Sequence, residues 1–311
     1  MSDFIINEEL RTLENLDFFA RQVVEGFITG LHKSPYHGFS VEFAEHRIYN
    51  VGESTRYIDW KLFARTDKLF VKRYEEETNL RCQLILDRSS SMQFPVQKKL
   101  NVSAPNKIGF SILAAAALMN LFKRQRDAVG LSVFSSKVQL HTPSKTSASH
   151  HKWLLSELEN LAIPFNESEK ENTDAVAALH EIAERIHKRS LVVLFSDLLG
   201  DQSRSDELFS ALQHLKYNKH EVIVFHVIDR SKEIEFNFES RLHKFIDLET
   251  GEEMKVNPIE LKEAYLKSMS RFEKELHLNC GQYNIDFIPV DSAQGFEPIL
   301  LKYLLKRKKM I

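Results

Sequence analysis

The stretch Leu80–Met92, LRCQLILDRSSSM, constrains the fold more than any other part of this 311-residue chain. Leu80, Cys82, Leu84, Ile85 and Leu86 make a run too apolar for a half-solvated strand, which suits a strand buried on both faces of a parallel sheet. The run ends on Asp87, and Ser89 and Ser91 follow at alternate positions. A loop at the carboxyl end of the strand therefore presents one carboxylate and two hydroxyls close together. Hard oxygen donors of this kind suit Mg2+, which takes few protein ligands, keeps several waters and demands near-octahedral geometry. The carboxyl edge of an open α/β sheet is also where ligands bind. The same triplet fits ordinary turn and N-cap chemistry, so the rest of the chain has to decide between the two.

Downstream, helical and strand patterns alternate. Ile108–Phe122 is apolar on most sides and predicts a helix buried against a sheet. Val129–Ser135 and Lys137–His141 read as two strands joined by a tight turn at Ser135–Ser136. Ser190–Ser196 is a second buried strand, closing on Asp197, and Glu221–Ile228 and Asp286–Val290 are later ones. Helices are expected over Asp174–His187, Gln202–Tyr217 with Asp201 as cap, Glu260–His277 and Pro298–Leu305, with a hairpin turning at Thr250–Gly251. This order predicts an α/β fold built on a doubly wound, mostly parallel, Rossmann-like sheet. Upstream, Asn7–Leu31 carries an apolar stripe and reads as an amphipathic helix packed on its own domain. The alternation of Phe39, Val41 and Phe43, followed by Ile48 and Tyr49, reads as strand. The chain accordingly divides into a small helix-plus-strand lobe over 1–79 and the α/β domain over 80–311.

Charge and cysteine usage exclude several functions. With 42 Lys and Arg against 44 Asp and Glu, the formal charge is −2, and no global field draws nucleic acid or an anionic membrane. Cys82 and Cys280 form neither a metal spacing nor a disulfide framework. The amino terminus is acidic where a signal peptide needs a basic start, and no apolar run is long enough to span a membrane. These features together predict a cytoplasmic protein. The basic tail Lys306–Lys309 complements a helix end, with contact to a membrane surface as its other use. His150 and His151 point about 100° apart on a helix and read as solvated residues rather than ligands, and His226 reads as a satisfied core histidine. Phosphate-loop, nucleophile-elbow and His-Glu-x-x-His patterns are absent. Asp87 after a strand also suggests a metal-dependent phosphate-ester hydrolase. Phosphatases of the haloacid dehalogenase type, which this arrangement resembles, place a second acid two residues on, where this chain has Ser89, so the chain reads as a non-enzyme.

The order Asp-x-Ser-x-Ser, then Thr173 before the helical run AVAALHEIAERIH, then Asp197 ending a later strand resembles the metal-ion-dependent adhesion site of von Willebrand factor A domains. The resemblance implies that Ser89, Ser91 and Thr173 offer hydroxyls to Mg2+ or another divalent cation, with Asp87 and Asp197 acting directly or through water. It further implies that a protein partner supplies a Glu or Asp to the open position. Thr173 lacks the common preceding Gly, and Asp197 is followed by Leu198 where Gly is usual. A second resemblance rests on Arg47-x-Tyr49, Val51-Gly52-Glu53, Arg56-x-x-Asp59-Trp60, Ala64-Arg65, Leu69-x-Val71 and Glu75. In that order these pieces resemble the segment preceding the A-like domain in domain of unknown function 58 (DUF58) proteins. By the residues alone, Arg47, Arg56, Asp59, Trp60 and Arg65 make either a structural lobe held by Arg–Asp pairs and a buried Trp, or a recognition surface. The family resemblance implies an adaptor that works with AAA+ ATPases of the MoxR type.

Overall fold

The structure, a computed structural model, describes residues 16–32, 46–48, 60–66, 68–72, 80–97, 99–162, 175–199, 205–248 and 251–310. Element order begins with α1 (Leu16–His32), β1 (His46–Ile48), α2 (Trp60–Thr66) and β2 (Phe70–Lys72). The α/β part follows as β3 (Arg81–Asp87), α3 (Lys107–Arg124), β4 (Ala128–Phe134), β5 (Val138–His141), α4 (Ala148–Leu161), α5 (Ala175–Arg185), β6 (Leu191–Ser196), α6 (Ser205–Tyr217) and β7 (Glu221–Ile228). The chain closes with β8 (His243–Ile246), β9 (Glu253–Val256), α7 (Pro258–Gln282), β10 (Asp286–Asp291) and α8 (Glu297–Met310).

Six strands form the main sheet in the order β10-β7-β6-β3-β4-β5, parallel except for the antiparallel edge β5. The predicted doubly wound α/β sheet is therefore present, with β3 at its centre between β4 and β6. Side chains alternate between its faces as the pleat requires. Leu84, Leu86, Val193, Phe195, Ile223 and Phe225 join α1, α3, α4 and α8 on one side, while Ile85, Val192, Leu194, Val222 and Val224 join α5, α6 and α7 on the other. Residue for residue, burial on both sides is why these strands lack a polar alternation. The exception in β3 is Gln83, which is buried and donates from Nε2 to Ser132 Oγ at 2.9 Å. A Cβ at Gly130 on the neighbouring strand would lie 2.3 Å from Gln83 Oε1, so only glycine leaves that amide its place.

Helix α3 is almost wholly buried, as its composition predicts, and begins on an Asn106 cap whose side chain accepts from Gly109 N at 2.9 Å. Leu16, Phe19, Ala20, Val24 and Phe27 of α1 pack into the same core as α3. Tyr303 of α8 donates to Asp127 Oδ2 at 2.8 Å, and Asp127 Oδ1 accepts from Leu80 N at 3.1 Å, which ties α8 to the start of the central strand. The hairpin β8–β9 pairs antiparallel as expected, with Gly251 at φ 77° in its turn. Both cysteines are buried, and neither is in a disulfide. Among the described residues no helix is long and apolar enough to cross a membrane.

His150 and His151 are not solvated. Both are buried, because this side of α4 faces β4 and α3, and the ring of His150 shares a hydrogen bond of 3.0 Å with the Val129 carbonyl. In the amino-terminal region, Arg47 lies in β1, paired antiparallel with β2 opposite Val71, Trp60 opens α2, and Arg65 is exposed in its last turn. Arg56 and Asp59 lie outside the described residues, as do the strand expected over 39–43 and the helical residues before Leu16.

Candidate functional site

Strand order reverses between β3 and β6, since the chain runs outward to β4 and β5 on one side and to β7 and β10 on the other. The crevice outside the carboxyl ends of two such strands is where a doubly wound sheet binds ligands. Here those ends carry Asp87 and the pair Ser196-Asp197.

Beyond β3 the chain is held close to the sheet by Arg88 N, which donates to the Phe134 carbonyl at 2.8 Å. It then winds into a short 3-10 turn over Ser90–Gln93, anchored by the buried Met92. Asp87 Oδ1 accepts from Ser89 N at 2.8 Å, and Oδ2 accepts from the Ser196 hydroxyl at 2.5 Å. Ser89 Oγ and Ser91 Oγ share a hydrogen bond of 3.0 Å. The two serines on which the sequence reading rests are thus brought together beside Asp87. Burial, and then the neighbouring Asp197, push the Asp87 carboxyl up to about 6, against the pull of the Ser196 and Ser89 hydrogen bonds.

Asp197 is equally buried but differently surrounded. Its Oδ2 accepts from Lys107 Nζ at 2.7 Å, its Oδ1 from Leu199 N at 3.0 Å, and its carbonyl oxygen from His226 Nε2 at 2.8 Å. The following residue, Leu198, has φ 50°, in the left-handed region that glycine occupies freely. A leucine there carries backbone strain, held in place by its buried side chain and by Leu198 N donating to Ser196 Oγ at 2.9 Å. Lys107 also donates to Glu233 Oε1 at 2.5 Å, and Glu233 Oε2 accepts from Asp229 N at 2.7 Å. Glu233 sits in a π-helical turn, Arg230–Ile234, directly after β7. Burial pulls the Lys107 ammonium down, yet Asp197 and Glu233 outweigh it and hold the group above the ordinary lysine value.

His226 is half satisfied rather than satisfied. With Nε2 given to the Asp197 carbonyl, its buried Nδ1 has no hydrogen-bond partner among the described residues. Burial pushes the imidazole down to about 4, so it stays neutral. A groove of about 580 Å³ opens beside Glu233 and is also lined by Phe94, Leu199, Phe236 and Tyr265.

Of the five predicted site residues, Asp87, Ser89, Ser91 and Asp197 meet at the switch point, and Thr173 lies outside the described residues. The described residues hold no group of three or more His, Cys, Asp or Glu arranged for a metal ion. The donor set at the switch point is of another kind, two hydroxyls and a carboxylate. Cis ligands of an octahedral Mg2+ with bonds of about 2.1 Å lie about 3.0 Å apart, which is the separation of the two serine oxygens here. These residues fit such an ion. Lys107, Glu233 and Ser196 were missed by the sequence reading. The signal for Lys107 is a cation directly before the apolar run Ile108–Phe122; Glu233, in a mixed polar run, offers none.

Comparison with known proteins places the chain in a family. Residues 45–275 match the model described as "Protein of unknown function DUF58". Uncharacterized proteins of Mycobacterium bovis and Mycobacterium tuberculosis are 24% identical over 217 residues, covering 70% of this chain. The chain spans 64% of the length of these curated relatives. Among solved structures, an aerotolerance-related membrane protein from Bacteroides fragilis is similar at 18% identity and a TM-score of 0.42, over 73% of this chain and 99% of that one. BatB from Bacteroides thetaiotaomicron is similar at 12% identity and a TM-score of 0.42, over 74% and 99%. With the family model matching more than half of its length, the chain belongs to the DUF58 family of proteins of unknown function.

Proposed function

We propose that this chain is a non-enzymatic, Mg2+-dependent protein-interaction module, with a von Willebrand factor A-like domain whose metal site lies at the end of β3. The observation that carries this reading is the pair of hydroxyls, Ser89 and Ser91, spaced as cis ligands beside a buried carboxylate that has no cation of its own among the described residues. When bound, the ion supplies a positive centre with a coordination position open to a partner's carboxylate. Asp87 would face it with charge and hold the loop through Ser89 N, while Ser89 and Ser91 would offer neutral oxygens that leave the ion's charge largely unspent. Thr173 is the third hydroxyl in this proposal. The resemblance to DUF58 proteins extends the reading to an adaptor working with a MoxR-type AAA+ ATPase.

Hydrolysis of a phosphate ester by Asp87 has less support. Both carboxylate oxygens already accept hydrogen bonds, and position 89 offers a hydroxyl where a general acid would be needed. The test is binding of a purified MoxR-type ATPase to the immobilised chain in Mg2+, in EDTA, and with Asp87→Ala. Binding is expected in Mg2+, lost in EDTA and in the variant, with no further loss when EDTA is added to the variant. An Asp87→Ala complex that EDTA weakens as much as the parent complex would place the relevant metal elsewhere.

A further inference from the structure

Lys107 stands in an unfavourable place for a cation. It is the first residue of α3, where the helix dipole presents its positive end, and its side chain is 0% exposed. An ammonium so placed gains nothing from its own helix and has lost its water. Its compensation comes from far along the chain, from Asp197, 90 residues away, and Glu233, 126 residues away. Simple neutralisation would need one carboxylate, and here there are two. Asp87, whose carboxyl feels Asp197 directly, adds a third acid that Lys107 does not pair with. When all are ionised the excess is two negative charges, which is the charge of one divalent ion. Stability alone is a weak reason for such an arrangement, since apolar residues commonly replace buried ion pairs without loss.

We propose that Lys107 is a tethered cation of the metal site: by occupying Asp197 and Glu233 it sets how much negative charge faces a bound divalent ion, and thereby how firmly that ion is held. The inference rests on the metal reading above and deepens it. Asp197 has Oδ2 committed to Lys107 and Oδ1 to Leu199 N, so its share in holding an ion depends on the lysine. Glu233 keeps 13% of its side chain accessible and lines the adjoining groove, so the far end of this charge chain is reached from outside.

The experiment is a Mn2+ titration of the full chain followed by electron paramagnetic resonance of the free ion. Four proteins are compared: the parent, Lys107→Met, Glu233→Gln, and the variant carrying both changes. Lys107→Met makes the site one charge more negative and should tighten Mn2+ binding about tenfold. Glu233→Gln makes it one charge less negative and should weaken binding by a similar factor, about tenfold. The double variant restores the balance and should return close to the parent. A merely structural lysine predicts otherwise, since its loss and the loss of Glu233 would both weaken binding. Should Lys107→Met fail to fold, Glu233→Gln and the double variant still decide. Unchanged affinity in Glu233→Gln, or a double variant no tighter than Glu233→Gln, overturns this inference while leaving the metal reading intact. A parent protein that binds no Mn2+ overturns both.

Discussion

Two carboxylates end adjacent strands of one sheet, and their surroundings differ in one respect. Asp197 closes on a lysine ammonium, whereas Asp87 is held by one backbone N–H and one hydroxyl, both neutral. Burial acts on both. Asp197 is compensated from within the fold, and Asp87 is left with a carboxyl pushed up to about 6. A fold that neutralises one buried acid and leaves its neighbour uncompensated sacrifices stability at the second position, the usual signature of a site that waits for a ligand.

The sharpest break of this comparison is at the lysine. Lys107→Met leaves the buried Asp197 and the part-buried Glu233 without their cation and should destabilise the metal-free protein by about 3–5 kcal/mol, measured by urea unfolding at neutral pH. A loss of under about 1 kcal/mol would mean that Asp197 and Glu233 are far better solvated than their burial indicates.

At Asp87 the sign should reverse. Its folded pKa of about 6 lies above the ordinary 3.8, so between those values the folded chain holds a proton that the unfolded chain has released. Stability attributable to this group therefore falls as pH rises from about 4 to about 6 and stays low above that. Asp87→Asn, which keeps an acceptor for Ser89 N, should stabilise the metal-free protein at pH 7, by up to about 3 kcal/mol, and should flatten the pH slope in that window. Destabilisation by Asp87→Asn at pH 7 would show that the carboxylate already has a counter-charge. At Ser91 the effect should be smallest. Ser91→Ala removes one partly buried hydroxyl and should change stability by no more than about 1 kcal/mol, while weakening divalent-ion binding clearly; equal metal affinity would remove Ser91 from the site.

The Asp87 half of this comparison is legible in the chain; of the Asp197 half, the acid is legible and its lysine partner is not. The apolar run into Asp87, the alternation of Ser89 and Ser91, and the strand closing on Asp197 follow from local pattern, and so does the order of strands and helices around them. Local pattern is also why α3 was foreseen as buried. The lysine at its first position was passed over because its partners lie 90 and 126 residues away, and no periodicity reports a contact of that range. The left-handed turn at Leu198 was hidden for a related reason: a residue that resists this conformation adopts it when the sheet edge and Ser196 impose it. His150 and His151 read as solvated because a short helix with mixed polarity does not reveal which face meets β4.

Whether Asp87, Ser89 and Ser91 hold a divalent cation is decided by the number of Mn2+ ions bound by the parent and by Asp87→Asn, with both confirmed folded by circular dichroism. One ion bound by the parent, displaced by Mg2+, and none bound by the variant at the same concentrations is the expected result. One ion bound with equal affinity by both proteins would contradict it.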